Sequence, residues 1–225
     1  TEEGLDNLDN FSTITAPFQT EIIGKSAFEN VFKRDRYAEF LSFWQFNLNR
    51  GLRRIEDNAF ANCTGLSQLL EFPSSTEYIG DNAFLNCSSL RGCVKLPRTI
   101  KTIGNYAFMG CQFAGELDFP ANATVGDSAF SNSCFKSVVF NNGTLHLGSR
   151  IFGNNSNLKK IDMTSLTYDD VANNWTFAPD SLYTTNASTE LCFVYINNYE
   201  TTAKWEDLLY NKMGLPTFFK VEHPL

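Results

Sequence analysis

The hexapeptide Ile55-Glu-Asp-Asn-Ala-Phe60 decides the fold, because the chain repeats it at nearly constant spacing. Clear copies are Ile79-Gly-Asp-Asn-Ala-Phe84, Ile103-Gly-Asn-Tyr-Ala-Phe108 and Val125-Gly-Asp-Ser-Ala-Phe130, with an early copy at Ile23-Gly-Lys-Ser-Ala-Phe28 and a weaker one at Leu147-Gly-Ser-Arg-Ile-Phe152. The six phenylalanines lie 32, 24, 24, 22 and 22 residues apart. A repeat of this length predicts a solenoid, in which each copy forms one coil and stacks on the next.

Each copy also carries a short run of alternating apolar and polar residues, which predicts a β-strand. These runs occupy residues 70–72, 94–96, 117–119, 138–140 and 161–163, and a proline follows the first three. A strand with two inward side chains cannot bury itself, so the coils must stack with their strands about 4.8 Å apart. We expect the phenylalanines to form a column inside the solenoid and each Ile-Gly or Val-Gly pair to turn the chain.

Three cysteines share one position of the repeat, since Cys63, Cys87 and Cys111 are each 24 residues apart. Adjacent coils would bring their Cα atoms within the range of a disulfide. Parallel side chains in a column are poorly aimed for bonding, however, and three members leave one unpaired. We therefore expect a buried column of free thiols, with disulfide pairing as the alternative.

The copies resemble the BspA-type leucine-rich repeat family of bacterial surface proteins, whose repeat reads approximately Ile-Gly-x-x-Ala-Phe-x-x-Cys-x-x-Leu-x-x-Ile-x-Ile-Pro. The resemblance covers about residues 23–163. It implies an α/β repeat solenoid, a leucine-rich repeat with short strands stacked in a ladder and a C-terminal strand–helix–strand cap. We expect an acidic leader and lead-in at residues 1–22, the solenoid at 23–166 and the cap at 167–225.

The sequence of the expected cap fits that order. Residues 191–196 are a continuous apolar run, which predicts a strand, and residues 200–212 form an amphipathic pattern that predicts a helix ended by Gly214 and Pro216. Residues 217–222 predict a last strand. We expect Trp205 to pack inside the cap.

Composition and charge exclude several classes of function. The chain has 225 residues, and 18 Lys and Arg against 25 Asp and Glu give a formal net charge of −7, which does not favour nucleic acid as a partner. The longest apolar run has six residues, far short of the roughly 20 in a membrane-spanning helix. The two histidines, His146 and His223, share no pattern with a nucleophile or a metal-ligand set. We therefore predict no enzyme activity, no cofactor and no metal site.

The predicted strands place two rows of side chains on the outside of the ladder, because alternate residues of a strand point to opposite faces. Mixed charge along these rows fits either a solvated surface or a surface that reads a partner. As most of the charged members are acidic, we expect a basic partner segment and binding that weakens with salt. The first row is Asn47, Glu71, Lys95, Asp118, Val139 and Asp162, and the second row is Gln45, Leu69, Cys93, Glu116, Ser137 and Lys160. The predicted partner-binding residues are the whole first row and Glu116 of the second.

The spacing from Phe28 to Phe60 exceeds the next one by eight residues, which places an insertion around residues 32–40. Insertions on solenoids often carry binding residues. This stretch contains Lys33, Arg34, Arg36 and Tyr37, which form a second candidate site. The alternative is a solvated segment that covers the N-terminal end of the stack.

The resemblance implies a non-catalytic, adhesin-like recognition module that is secreted or displayed at the surface of a bacterial cell. The expected partner is an extracellular protein or a host-surface macromolecule, and we expect the module to be a monomer. The alternative is a glycan-binding surface module, which is suggested by aromatic residues outside the repeat: Tyr168, Trp175, Tyr183, Tyr195 and Tyr199.

Overall fold

The computed structural model describes residues 11–33, 43–67, 71–185, 192–199 and 201–224. The predicted acidic leader at 1–10 lies outside these ranges. So do Leu69 on the second outward row and Arg34, Arg36 and Tyr37 of the inserted segment.

The described residues form fifteen parallel-paired strands and two helices. In chain order the strands are β1 (Phe11–Thr15), β2 (Ile22–Ile23), β3 (Phe43–Asn47), β4 (Arg54–Ile55), β5 (Tyr78–Ile79), β6 (Arg91–Gly92), β7 (Thr102–Ile103), β8 (Gln112–Asp118), β9 (Ala123–Val125), β10 (Cys134–Val139), β11 (Leu145–Leu147), β12 (Lys160–Asp162), β13 (Trp175–Phe177), β14 (Cys192–Tyr195) and β15 (Phe219–Glu222). Helix α1 spans Tyr168–Asn174, and α2 spans Thr202–Glu206 and continues as a π-helical turn over Asp207–Lys212.

The strands divide into two sets, one on each of two sides of the coils. The front sheet has the order β15-β14-β12-β10-β8-β6, and the pair β1–β3 precedes it along the chain. Between these parts, Glu71 and Lys95 pair through a single bridge, so the strands predicted at 70–72 and 94–96 are shorter than expected. Strand β1 also shows that the repeated structure reaches into the region predicted as a lead-in.

The second sheet has the order β13-β11-β9-β7-β5-β4-β2 and was not predicted. The Ile, Val or Leu that begins each copy ends one of these short strands, which the prediction that each Ile-Gly or Val-Gly pair turns the chain did not include. Successive coils approach closely at the glycines of the later copies, although Glu56 fills the same position in the coil of Phe60. A Cβ atom on Gly104 would lie 2.5 Å from the backbone nitrogen of Asp81, and one on Gly80 would lie 2.6 Å from that of Asp57.

The Asn-Ala-Phe segment makes the third side of each coil. Asn58 and Asn62 adopt positive φ angles of 57° and 59°, a conformation that asparagine tolerates better than most residues. The intervening backbone bonds directly to the next coil, since the amide of Phe60 donates to the carbonyl of Ala83 at 2.8 Å. All three sides of the solenoid are therefore joined by backbone hydrogen bonds.

The predicted phenylalanine column is confirmed. The rings of Phe60, Phe84 and Phe108 are nearly parallel, with centroids 5.1 and 5.3 Å apart, and all three are buried. The column continues to Phe28 at one end and through Phe130 to Phe152 at the other. Aromatic residues of the front side meet it edge-on, such as Phe72 against Phe84 at 5.9 Å. These rings form the core.

The three repeat cysteines are buried, free thiols, as predicted. Each donates to the carbonyl of the phenylalanine in the preceding coil: Cys63 to Phe28 at 2.9 Å, Cys87 to Phe60 at 3.1 Å and Cys111 to Phe84 at 3.2 Å. Burial raises the pKa of Cys63 to about 11, so this thiol stays protonated at neutral pH. In a later coil Asn155 occupies the same position and donates to the carbonyl of Phe130 at 2.8 Å. The position therefore holds a buried donor in these four coils, whereas in the coil between Cys111 and Asn155 it holds Ser133, whose buried hydroxyl has no hydrogen-bond partner among the described residues.

The C-terminal residues contain the elements expected there. Strands β14 and β15 pair in parallel and extend the front sheet, while α2 lies between them in sequence. Trp205 is fully buried and meets the ring of Tyr168 edge-on at 6.2 Å. Helix α1 was not predicted. It begins at a capping box in which Thr167 and Asp170 exchange hydrogen bonds.

Candidate functional site

The outward side chains of the front strands form the surface that we call the ladder face. Strands β8, β10 and β12 confirm the predicted register: Asp118 lies opposite Val139, which lies opposite Asp162. In the neighbouring row Glu116, Ser137 and Lys160 are aligned in the same way. Both rows stay in register despite an irregularity in β10 between Phe135 and Ser137.

Both rows continue into the C-terminal strands, which sequence reasoning missed. Tyr195 and Glu222 extend the first row, and Phe193 and Lys220 extend the second. The apolar run at 191–196 predicts a strand but does not show which sheet the strand joins. The signal that could have placed it is the match between its inward Val194 and the inward Ile161 of β12.

The N-terminal predicted positions form separate parts of the ladder face. Asn47 pairs with Thr15 of β1, a residue that was not predicted to take part. Glu71 and Lys95 face each other, and their side chains form an exposed ion pair at 3.3 Å. An open pocket of about 510 Å³ is lined by both Asn47 and Glu71, so the structure brings these two predicted residues together. Lys33 is exposed at the last described position before the gap at 34–42.

Most acidic groups of the ladder face have partners on the same face. The carboxylate of Glu116 accepts from the hydroxyl of Ser137 at 3.1 Å, and that of Asp118 accepts from the amide of Asn141 at 2.6 Å. Asp162 forms an ion pair with Lys160 at 2.9 Å. Burial tends to raise the pKa of Asp162, but hydrogen bonds from Lys160 and Thr164 outweigh it and lower the pKa. Lys95 and Lys160 therefore compensate the charge of Glu71 and Asp162, whereas Glu116 and Asp118 have neutral partners and keep their negative charge.

The five aromatic residues outside the repeat have different roles. Trp175 is buried, packs 5.2 Å from Phe140 and donates its ring N–H to the carbonyl of Gly143 at 3.0 Å, so it belongs to the core. Tyr168 packs against Trp205. Tyr183 lies beside the guanidinium of Arg150 at 5.2 Å, and Tyr199 is 96% exposed.

Of these five, Tyr195 is the aromatic residue that the structure places on the ladder face. It stacks on Phe193 with a centroid distance of 6.0 Å. The ammonium group of Lys160 lies 5.5 Å from its ring centroid. Phe193 is flanked by Lys160 and Lys220, and Tyr195 by Asp162 and Glu222. The aromatic pair therefore offers a ligand both an apolar surface and polar groups.

The second sheet also presents an outward row, which the sequence did not reveal because its strands were taken for turns. The row runs Ile22, Arg54, Tyr78, Thr102, Thr124, His146 and Thr176. The guanidinium of Arg54 lies 3.9 Å above the ring of Tyr78, and His146 Nδ1 is 2.6 Å from the hydroxyl of Thr176. Within the described ranges, no group of three or more His, Cys, Asp or Glu side chains is placed to hold a metal ion.

The repeat geometry and the sequence identify the family. A sequence model described as the BspA type leucine rich repeat region matches residues 32–159 and 92–195, with six copies. This chain belongs to the BspA-type leucine-rich repeat family. The phenylalanine column and the thiol column follow from the residues that define this repeat.

Two solved structures are similar to this chain. One is a leucine-rich repeat protein from Bacteroides ovatus, 21% identical over 83% of this chain and 55% of that chain, with a TM-score of 0.40. The other is described as the pneumococcal vaccine antigen PcpA, 17% identical over 95% of this chain and 41% of that chain, with a TM-score of 0.53. The second shows a shared repeat fold, and this chain spans about half the length of either structure. No curated protein matches the sequence.

No helix in the described ranges is long and apolar enough to span a bilayer.

Proposed function

We propose that this chain is a non-catalytic recognition module, secreted or displayed at a cell surface, that binds a macromolecular partner through the ladder face. The observation that carries the proposal is the alignment of two rows of outward side chains from β8 to β15. The inward neighbours are held by the core, whereas each outward residue can change without disturbing its coil. Such a face can be adapted to an extended partner.

Several observations support a recognition role. The carboxylates of the ladder face are held by Lys, Ser and Asn side chains, which fixes their positions as contact groups. Because Ser137 and Asn141 leave the charge of Glu116 and Asp118 uncompensated, a basic partner segment is expected, and binding should weaken with salt. A surface location is supported by family membership and by the name of one structural neighbour, a vaccine antigen. In this role an extracellular protein or a host-surface macromolecule is the partner.

The C-terminal elements are proposed to cap the stack. Trp205, Leu208 and Leu209 on the helix are buried, so this helix covers apolar surface that a further coil would otherwise cover. Strand β15 is the last strand of the front sheet.

The experiment is a binding screen of the purified chain against an array of extracellular proteins and glycans. The test variant carries Glu71→Lys and Asp118→Lys on the ladder face. The matched control carries Thr102→Lys and Thr124→Lys on the second sheet. We expect the test variant to lose the hits of the unaltered chain and the control to keep them.

Two outcomes would contradict the proposal. One is that both variants keep every hit while Lys33→Glu abolishes them, which would assign binding to the inserted segment. The other is that the second-sheet control alone loses binding, which would move the site to the unpredicted row.

A second candidate function is glycan binding. It is favoured by an outward aromatic pair, in which Phe193 lies between Lys160 and Lys220 and Tyr195 lies between Asp162 and Glu222. Aromatic faces with polar groups at their rim suit ligands that have both apolar and hydroxylated surfaces.

A further inference from the structure

A separate pocket of about 280 Å³ lies where three successive coils leave the front sheet. Its walls come from residues 96–98, 118–122 and 141–142, all within the described ranges. Leu96 and Pro97 are half-buried and supply apolar surface, while Phe119 and Pro120 in the same wall are buried. The volume is just below the range of about 300–1,000 Å³ that is usual for drug-sized ligands, so the pocket suits a single small ring.

The polar groups of this pocket are already oriented by internal hydrogen bonds. Asn141 donates its amide to Asp118 Oδ1 at 2.6 Å and to the carbonyl of Phe119 at 3.1 Å, which leaves its side-chain oxygen as an acceptor. Asn122 accepts from the backbone N–H of Thr144 at 2.9 Å, which leaves its NH₂ group as a donor. The two amides therefore present opposite hydrogen-bonding character to the pocket.

Three further groups complete the wall. The second carboxylate oxygen of Asp118 is an acceptor, and the exposed side chains of Arg98 and Asn142 provide donors, with an additional acceptor on Asn142. The wall thus holds both donors and acceptors beside apolar surface. The single positive charge of Arg98 is balanced by the single negative charge of Asp118, so the wall is electrically neutral.

We propose that this pocket binds one neutral pyranose ring, as a unit of a glycan. A sugar hydroxyl both donates and accepts, which matches a wall that holds both donors and acceptors, while the C–H face of the ring suits Leu96 and Pro97. A polyanion is disfavoured because Asp118 would repel it and Arg98 alone would attract it. This assignment rests on the proposed recognition role of the ladder face, which Asp118 shares.

The experiment is titration of the full chain, followed by NMR, with D-glucose, D-galactose, D-mannose and N-acetyl-D-glucosamine. D-glucuronic acid serves as the charged comparison. We expect at least one neutral sugar to bind with a dissociation constant of the order of a millimolar, as a ligand of about a dozen heavy atoms allows. Arg98→Ala and Asp118→Ala should each weaken that binding about tenfold or more.

Arg91→Ala is the matched control, because Arg91 is also exposed and lies in the same coil outside the pocket. It should leave sugar binding unchanged, and thermal melts should show that all three variants remain folded. The proposal is overturned if none of the neutral sugars binds at tens of millimolar, if Arg98→Ala and Asp118→Ala bind as well as the unaltered chain, or if glucuronic acid binds more tightly than glucose.

The proposed function is tested separately by Glu71→Lys, which lies outside this pocket. If array binding is lost in Glu71→Lys but no neutral sugar binds the unaltered chain, the sugar site is wrong and the recognition role of the ladder face stands. If sugar binds as expected and the array shows no macromolecular partner, the pocket assignment stands and the wider role fails.

Discussion

The second sheet and the front sheet belong to the same coils but differ in regularity. Strands of the second sheet have two or three residues each, whereas those of the front sheet range from two residues in β6 to seven in β8. Next to the second sheet, Asp57, Asp81, Asn105 and Asp127 form a ladder in which each side-chain oxygen accepts the backbone N–H of the equivalent residue in the next coil. The donor–acceptor distances are 3.1, 2.7, 2.8 and 2.7 Å, and the last donor is Ser149.

This difference shows where the repeat motif acts. Glycine, the Asp or Asn, and Ala-Phe are required where coils approach closely, so they recur in sequence. The front strands are constrained only at their inward positions, so their lengths and outward residues vary. Consequently the recognisable motif identifies the second sheet, and the candidate binding surface lies on the front sheet, where the motif is weaker.

The largest expected effect comes from breaking the core that both sides share. Phe108→Ala should lower the free energy of unfolding by about 3–5 kcal/mol, because the stacked neighbours Phe84 and Phe130 cannot both close the cavity. For a chain of this size that corresponds to a fall in melting temperature of about 10 °C. Phe193→Ala on the ladder face is the control and should shift the melt much less, since Phe193 is only half-buried. Equal shifts would contradict a core centred on the column.

A smaller effect should come from overpacking the second side. Gly104→Ala places a Cβ atom against the backbone of Asp81 and should destabilise the fold by about 1–3 kcal/mol. Gly24→Ala is the matched control, because nothing lies within 4 Å of its Cβ position. Chemical denaturation of both variants would measure the difference. If Gly24→Ala were as destabilising as Gly104→Ala, close approach of the coils would not explain the glycines.

The charge at the start of the side-chain ladder should have a smaller, pH-dependent effect. An ion pair with Lys25 at 2.9 Å lowers the pKa of Asp57 below its usual value of 3.8. A lowered carboxyl pKa contributes stability that is present above the unfolded pKa and is lost as pH falls through the folded pKa. Asp57→Asn keeps an oxygen for the N–H of Asp81 and removes the charge. Its melt should be about a degree or two lower at pH 7.

That difference should shrink as the pH falls from about 5 toward 3, because a growing fraction of the unaltered Asp57 is protonated as the pH approaches its lowered pKa. Melts of both proteins across this range would check the prediction. A difference that stays constant or grows toward pH 3 would show that Lys25 does not act through the Asp57 carboxylate.

The smallest effect on stability is expected on the ladder face. Glu71→Lys with Asp118→Lys should change the free energy of unfolding by about 1 kcal/mol or less, because both positions are exposed. Guanidinium chloride titration would measure it. A loss of stability comparable to that of Phe108→Ala would mean that the ladder face stabilises the fold. Its outward residues would then not be free to vary.

Sequence reasoning succeeded where a residue has one role in every coil. Phe60 and Cys63 were placed correctly because 24 residues separate them from equivalents with the same neighbours. The rows from Asp118 to Asp162 were placed correctly because alternation in a strand fixes which side chains point outward.

It failed where the outcome depends on packing between coils. Two-residue strands such as Thr102–Ile103 have no alternation to detect, so the second sheet and its outward row were missed. Trp175 was included among the residues that suggest glycan binding because sequence spacing could not show that its ring packs against Phe140. The hydrogen-bond partners of Glu116 and Asp118 are 21 and 23 residues away in sequence, so these bonds were also not foreseen.

The sequence by itself determined the repeat, its family, the column of phenylalanines and the inward and outward positions of the long strands, because each depends on local spacing that recurs. The tertiary structure alone decided the second sheet, the continuation of the ladder face into β14 and β15, and the neutral pocket between residues 96 and 142. These features depend on which coil lies beside which and on the residues that meet there. After Phe60 the repeat length varies between 22 and 24 residues. This variation changes which residues of adjacent coils are in contact while leaving the motif intact.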